Sequence, residues 1–283
     1  KLKANDNGNC LHGGGNSGWL HKIYTIANRT DSSVTFALTS PDGDNGFPGT
    51  VKATATYTVK SDNTLDIVFS ATTDKKTVVN MTNHSYFNLN GDPSKEGFDQ
   101  VMSIDADSFT VADAKYIPTG EIKAVEGTPM DFRKAATIGK KYDLSFDQVK
   151  NATGFDHNWV LNTYNNKEYD KKPCATLYSP KTGIYMEVFT NEPGLQVYTG
   201  NFQGTGIPGK HASRVRNIPT HPQNTMPRHR DGRNLILTLN RDRSTRAIWL
   251  TGSLSNNTTT NGGSEGRCHL ISKKPTNNLL ITN

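Results

Sequence analysis

Long apolar runs are missing from this chain. No stretch of the 283 residues approaches the ~18 consecutive apolar residues that a membrane-spanning helix requires, so no membrane partner is expected. Cysteine is scarce: Cys10, Cys174 and Cys268 are odd in number and form no CxxC pair. They read as free thiols, which excludes a disulfide framework and a thiolate zinc site. Capped segments with a sustained 3.6-residue period are also missing, which argues against a helical architecture. No internal repeat is visible. No signal peptide is visible at the start, and Lys1-Leu2-Lys3 opens abruptly, as if inside a folded element.

Acidic residues are absent from one long stretch, Glu192 to Asp231. Residues 1–200 hold 20 basic and 23 acidic groups, a net of −3, whereas residues 201–283 hold 12 basic and 3 acidic groups, a net of +9. The type of base shifts too, from 18 Lys and 2 Arg to 3 Lys and 9 Arg. A basic stretch such as Lys210–Arg246 could face nucleic acid or another anion. It lacks interleaved aromatics and a basic helix pattern, so no nucleic-acid partner is expected.

What is present points to sheet. Val51, Ala53, Ala55, Tyr57 and Val59 alternate with polar residues, and Leu65, Ile67, Phe69 and Ala71 do the same. Ser61-Asp62-Asn63 between them is turn chemistry. Residues 34–38, 76–82, 175–178, 184–190 and 195–199 also read as strands, rich in β-branched and aromatic residues. Lys181-Thr182-Gly183 reads as a hairpin link, and Pro41–Gly49 as a hairpin turn. The fold class is therefore all-β, with many short strands in packed sheets.

Four segments could carry chemistry, and two more belong to the same pattern. Asn83-His84-Ser85-Tyr86-Phe87-Asn88-Leu89 sets a histidine among hydrogen-bonding and aromatic side chains. An imidazole exchanges a proton near neutral pH, and aromatics suit the apolar faces of a sugar ring. Taken alone, the segment also fits a strand end with a satisfied core histidine. Leu11-His12-Gly13-Gly14, followed by Gly15, Gly18 and Trp19, is a glycine-rich turn presenting a second histidine, or simply a surface loop. Gly154-Phe155-Asp156-His157-Asn158 brings a carboxylate and a third histidine, or is an ordinary turn. Asn191–Phe202 is a turn and then a strand carrying amides and aromatics, Gln196 among them. Ile117-Pro118-Thr119-Gly120-Glu121 and Gly127-Thr128-Pro129-Met130-Asp131-Phe132 complete the set.

In order, spacing and wording these segments resemble the aldose 1-epimerase (galactose mutarotase) family, from Asn9 to about Phe202. The resemblance implies a largely antiparallel galactose mutarotase-like β-sandwich, or supersandwich, over residues 1–283. It implies a monosaccharide substrate such as galactose or glucose, whose α and β anomers interconvert by acid–base ring opening. No cofactor and no metal are implied, because the sugar's own carbonyl is the intermediate. By position in the matching motifs, His84 is expected as the general acid and His12 as its partner near the ring oxygen. Asp156 and Gln196 are expected to bind hydroxyls. Phe87 and Trp19 are candidates for apolar walls, and His157 is read as structural.

The chain departs from the family pattern in two places. The family's general-base glutamate falls near Asn217, and a neutral amide cannot accept the proton as a carboxylate does. The family's Gly-Arg-Tyr-Ala-Asn-Arg-Ile segment, which normally precedes the His-Gly-Gly turn, is echoed only in Gly266-Arg267-Cys268-His269-Leu270-Ile271. This suggests a rotated chain order in which residues 244–283 correspond to the family's N-terminal part, with Arg267 standing for its sugar-binding arginine. Three functions stay open: an active epimerase, a catalytically impaired carbohydrate-binding protein on the same fold, and a phosphosugar-type relative suggested by the basic last third. The resemblance implies a cytoplasmic protein. Sequons at Asn28, Asn80, Asn83, Asn151, Asn256 and Asn257 permit a secreted one instead. Oligomeric state is not legible.

Overall fold

The computed structural model describes residues 1–91, 97–168, 171–201, 235–240 and 264–273, the last two segments as strand backbone. In chain order the strands are β1 (Thr25–Arg29), β2 (Ser33–Ser40), β3 (Val51–Val59), β4 (Thr64–Thr73), β5 (Tyr86–Phe87), β6 (Val101–Ile104), β7 (Ser108–Ala112) and β8 (Pro118–Ala124). They continue as β9 (Ala136–Thr137), β10 (Asp156–Val160), β11 (Ala175–Tyr178), β12 (Tyr185–Thr190), β13 (Gly194–Tyr198), β14 (Leu235–Asn240) and β15 (Ser264–Lys273). Helix among the described residues is confined to α1 (Asp147–Asn151), α2 (Asn162–Asn165) and single 3₁₀ turns. The all-β expectation holds.

Nine strands form one sheet in the order β1-β2-β3-β4-β15-β12-β11-β6-β9, and six form a second, β5-β14-β13-β10-β7-β8. The pairings are antiparallel, for example Val51 with Thr73 and Tyr57 with Ile67 between β3 and β4. The polar turn between those strands closes as its residues demand. Asn63 takes a left-handed φ of 65°, and the Asp62 carboxylate accepts the Thr64 N–H at 3.0 Å. The Lys181–Gly183 link joins β11 to β12 as a hairpin.

One core lies between the sheets. From the larger sheet it takes Ile67, Met102, Leu177 and Met186, and from the smaller Phe109, Trp159, Leu195 and Val197. Burying each large apolar side chain contributes about 1.5–3 kcal/mol. A smaller cluster, Val51, Ala53 and Ala71, is covered by Trp19, Val79 and Met81.

One expected strand is absent. Residues 76–82 have no regular secondary structure, and only Tyr86–Phe87 joins a ladder. β-branched composition favours a pleated surface only where a neighbouring strand offers one. Here the segment leaves β4 at Thr73 and runs across the small cluster, on which Val79 and Met81 pack.

Candidate active site

Period-two alternation sorts the smaller sheet into two faces. His157, Trp159, Leu195 and Val197 point into the core, each no more than 3% exposed. The opposite face carries Asp156 and Asn158 on β10, with Gln196 and Tyr198 facing them in register on β13. Gln196 stands opposite Asn158, one diagonal step from Asp156. Its Nε2 donates to Asp156 Oδ1 at 2.8 Å, a reach that cross-strand diagonals allow. Burial pushes the Asp156 carboxyl above its ordinary pKa, while the Gln196 hydrogen bond and the nearby charge of His84 pull it back down.

His84 reaches this face from the irregular segment before β5. Asn83 shapes the approach: its Oδ1 accepts the Ser85 N–H at 3.1 Å and its Nδ2 donates to the Tyr57 hydroxyl at 3.3 Å. After the strand, buried Gln100 ties the motif down by donating to Asn88 Oδ1 and accepting the Leu89 N–H, both at 3.1 Å. Tyr86, opposite Ile236 and thus on the face of Tyr198, lies with its ring 5.7 Å from that of His84.

His12 arrives from the other sheet's side. Its own backbone is left-handed at φ 50°, ψ 37°, an uncommon state for a residue with a Cβ. Gly13, Gly14 and Gly15 follow with φ of 74°, 114° and 67°, which continue a turn that other residues resist. Gly18 is needed for a different reason, because a Cβ there would stand 2.5 Å from the His12 carbonyl oxygen. Asn5 grips the turn from outside: its Oδ1 accepts the Leu11 N–H at 2.8 Å and its Nδ2 donates to the Leu11 carbonyl at 3.1 Å. The His12 and His84 rings meet edge to face, centroids 5.2 Å apart. Loss of water around His12, and then the charge of His84, lower its pKa from the ordinary 6.5. His12 is therefore a neutral donor and acceptor at pH 7.

Four of the residues read from the sequence, His12, His84, Asp156 and Gln196, are thus brought together on one face. Arg267 lies on β15 opposite Val68, its side chain outside the described residues, and Asn217 lies outside them altogether. Trp19 and Phe87 are half-buried and pack on the small and large clusters. His157 is buried, its pKa pushed down to about 4 by desolvation, and its Nδ1 accepts the Asp156 N–H at 3.1 Å. Sequence reading gave no role to Asn158, although it lies two residues from Asp156 on β10 and strand alternation puts it on the same face. Cys10 is a free thiol, as expected, and both it and Cys174 are buried. Among the described residues no His, Cys, Asp and Glu cluster suits a metal, and no helix is long and apolar enough to cross a membrane.

Comparison with known proteins points to one family. The family model for aldose 1-epimerase matches residues 1–226. The galactose mutarotase of Sus scrofa is 38% identical over 210 residues, 74% of this chain and 58% of its own length. The aldose 1-epimerase of Escherichia coli K12 is 40% identical over 202 residues, 71% of this chain and 56% of its own. This chain therefore spans somewhat more than half the length of those relatives. Among solved structures, a GalM/aldose epimerase homologue from C. elegans superposes with a TM-score of 0.74 at 21% identity, covering 96% of this chain and 74% of that one. Galactose 1-epimerase from Lactobacillus acidophilus gives 0.72 at 25% identity, covering 98% and 73%. With matching sequence motifs, antiparallel sheets and a family model running through most of its length, the chain belongs to the aldose 1-epimerase family.

Proposed function

We propose that the chain binds a free aldohexose, such as galactose or glucose, on the face shared by His12, His84, Asp156 and Gln196 and interconverts its α and β anomers. The observation that carries this reading is the pair of imidazoles 5.2 Å apart beside a carboxylate already oriented by an amide. Ring opening needs a proton delivered to the ring oxygen while a base, for which no described side chain is assigned, takes the proton of the anomeric hydroxyl. The C1–O5 bond breaks, the open-chain aldehyde forms, C1–C2 rotates, and closure on the other carbonyl face returns both protons. His84 is assigned the acid role at the ring oxygen, with neutral His12 as its hydrogen-bonding partner. Asp156 and Gln196 hold hydroxyls, and Tyr86 adds an aromatic edge. A positioned proton transfer contributes roughly 100- to 10,000-fold.

Arg267 and Asn217 are assigned to the same pocket by sequence position alone. On the same footing, residues 244–283 are assigned to the place of the family's N-terminal part, and β15, set centrally between β4 and β12, is the element to examine. Peptide mapping of residues 203–283 checks the two premises, that residue 217 is an amide and that Asn283 ends the chain.

The second reading is a sugar-binding protein with impaired catalysis. It is favoured by one observation, that no Asp or Glu occurs between Glu192 and Asp231, where a general base would be sought. Polarimetry of freshly dissolved α-galactose and α-glucose separates the two. A decay no faster than the blank removes the epimerase, and calorimetry then decides whether binding survives.

A further inference from the structure

The residue before Asp156 is held from across the strand pair. The Phe155 N–H donates to Thr199 Oγ1 at 3.0 Å. The Phe155 carbonyl accepts the Thr199 N–H at 3.0 Å and Asn201 Nδ2 at 2.9 Å. The Thr199 hydroxyl proton has two acceptors, Asn201 Oδ1 at 2.5 Å and the Phe155 carbonyl at 3.3 Å, and the shorter contact is the stronger. Both backbone polar groups of one residue, Phe155, are thus tied by a closed ring of two side chains. The ring has no room for a methyl group at Gly154, whose φ is 148°, since a Cβ there would stand 2.3 Å from Asn201 Oδ1 and 2.6 Å from Thr199 Oγ1. Thr199 is 2% exposed, so its hydroxyl serves the interior and not solvent.

We propose that Thr199 and Asn201 are positioning residues for Asp156: by fixing the Phe155 peptide they aim the next side chain at Gln196 and at the sugar. This rests on the reading of Asp156 as a hydroxyl-binding carboxylate. A clamp that only stabilised the fold would lower the melting temperature and leave recognition alone. A positioning clamp changes recognition, and does so only through Asp156.

The test is a double-mutant cycle with the whole chain. Thr199→Val removes the hydroxyl at nearly constant shape, Asn201→Ala removes the second arm, Thr199→Ser restores the hydroxyl, and Asp156→Ala removes the target. The readouts are kcat/KM by polarimetry and Kd for galactose by calorimetry. Thr199→Val and Asn201→Ala are expected to weaken kcat/KM or Kd about tenfold in folded protein, Thr199→Ser to stay within about twofold, and either change to add nothing in the Asp156→Ala background. Equal losses in both backgrounds, or no loss, overturn the proposal.

If the unmodified chain neither turns over nor binds a hexose, the functional reading fails. The clamp is then judged alone by carboxyl ¹³C NMR titration. Thr199→Val is expected to loosen the Phe155 backbone and move the Asp156 midpoint toward its ordinary value, and an unmoved midpoint overturns the proposal.

Discussion

The His12 and His84 imidazoles meet edge to face at 5.2 Å, one delivered by a left-handed turn and the other by an irregular segment before a two-residue strand. Neither element has the regularity that usually fixes a catalytic group. Each is held instead by amide side chains, Asn5 on one side and Asn83 and Gln100 on the other. Removing either imidazole therefore tests chemistry more than folding. His84→Gln is expected to lower epimerisation by roughly 100- to 10,000-fold, with His12→Gln smaller, both measured by polarimetry with circular dichroism as the control for folding.

Gly18 and His12 form a second coupled pair. Gly18→Ala puts a methyl group 2.5 Å from the His12 carbonyl oxygen, and backbone on both sides must move. The expected cost is about 1–3 kcal/mol in urea unfolding, with reduced kcat/KM because His12 moves with the turn. Unchanged values in both assays would show the turn to be slack.

Buried His157 makes stability depend on acid. Its folded pKa of about 4 lies below the unfolded value of ~6.5, so between these pH values the unfolded chain binds more protons. Stability is then full above about pH 6.5 and falls as pH drops toward 4, by ~3 kcal/mol for this group alone. Asp156 works in the opposite sense, because its raised pKa favours the protonated folded state just above the ordinary carboxylate pKa. His157→Leu should flatten the slope of urea-unfolding free energy between pH 6.5 and 4. A slope unchanged by the substitution would place the acid sensitivity elsewhere.

Gln100 is fully buried and spends its amide on Asn88 and Leu89. Gln100→Leu leaves the half-buried Leu89 N–H without that partner, at about 1–3 kcal/mol for an unsatisfied group, while Asn88 Oδ1 still accepts the Asn90 N–H. Chemical denaturation measures the loss. Hydrogen exchange at the Leu89 amide should rise more than at the amides of β10.

Alternation in residues 51–59 and 65–71 specified β3 and β4 because one face of each strand meets the core, and Ser61–Asn63 specified their turn because asparagine tolerates a left-handed φ. The 76–82 segment misled because its composition matches a strand while its place in the molecule offers no strand to pair with. Trp19 and Phe87 were ambiguous for a related reason: an aromatic beside a histidine suits a sugar or a core equally, and only packing assigns it.

The motifs by themselves determined the family and which side chains were chemically able to exchange protons or hold hydroxyls, since those depend on residue type and order. Only the tertiary structure decided that His12 and His84 touch, that Asp156 faces Gln196 while His157 turns inward, and that Thr199 grips Phe155. These relations depend on strand register and on which sheet face is buried, quantities set by the whole chain's packing and by no local stretch of it.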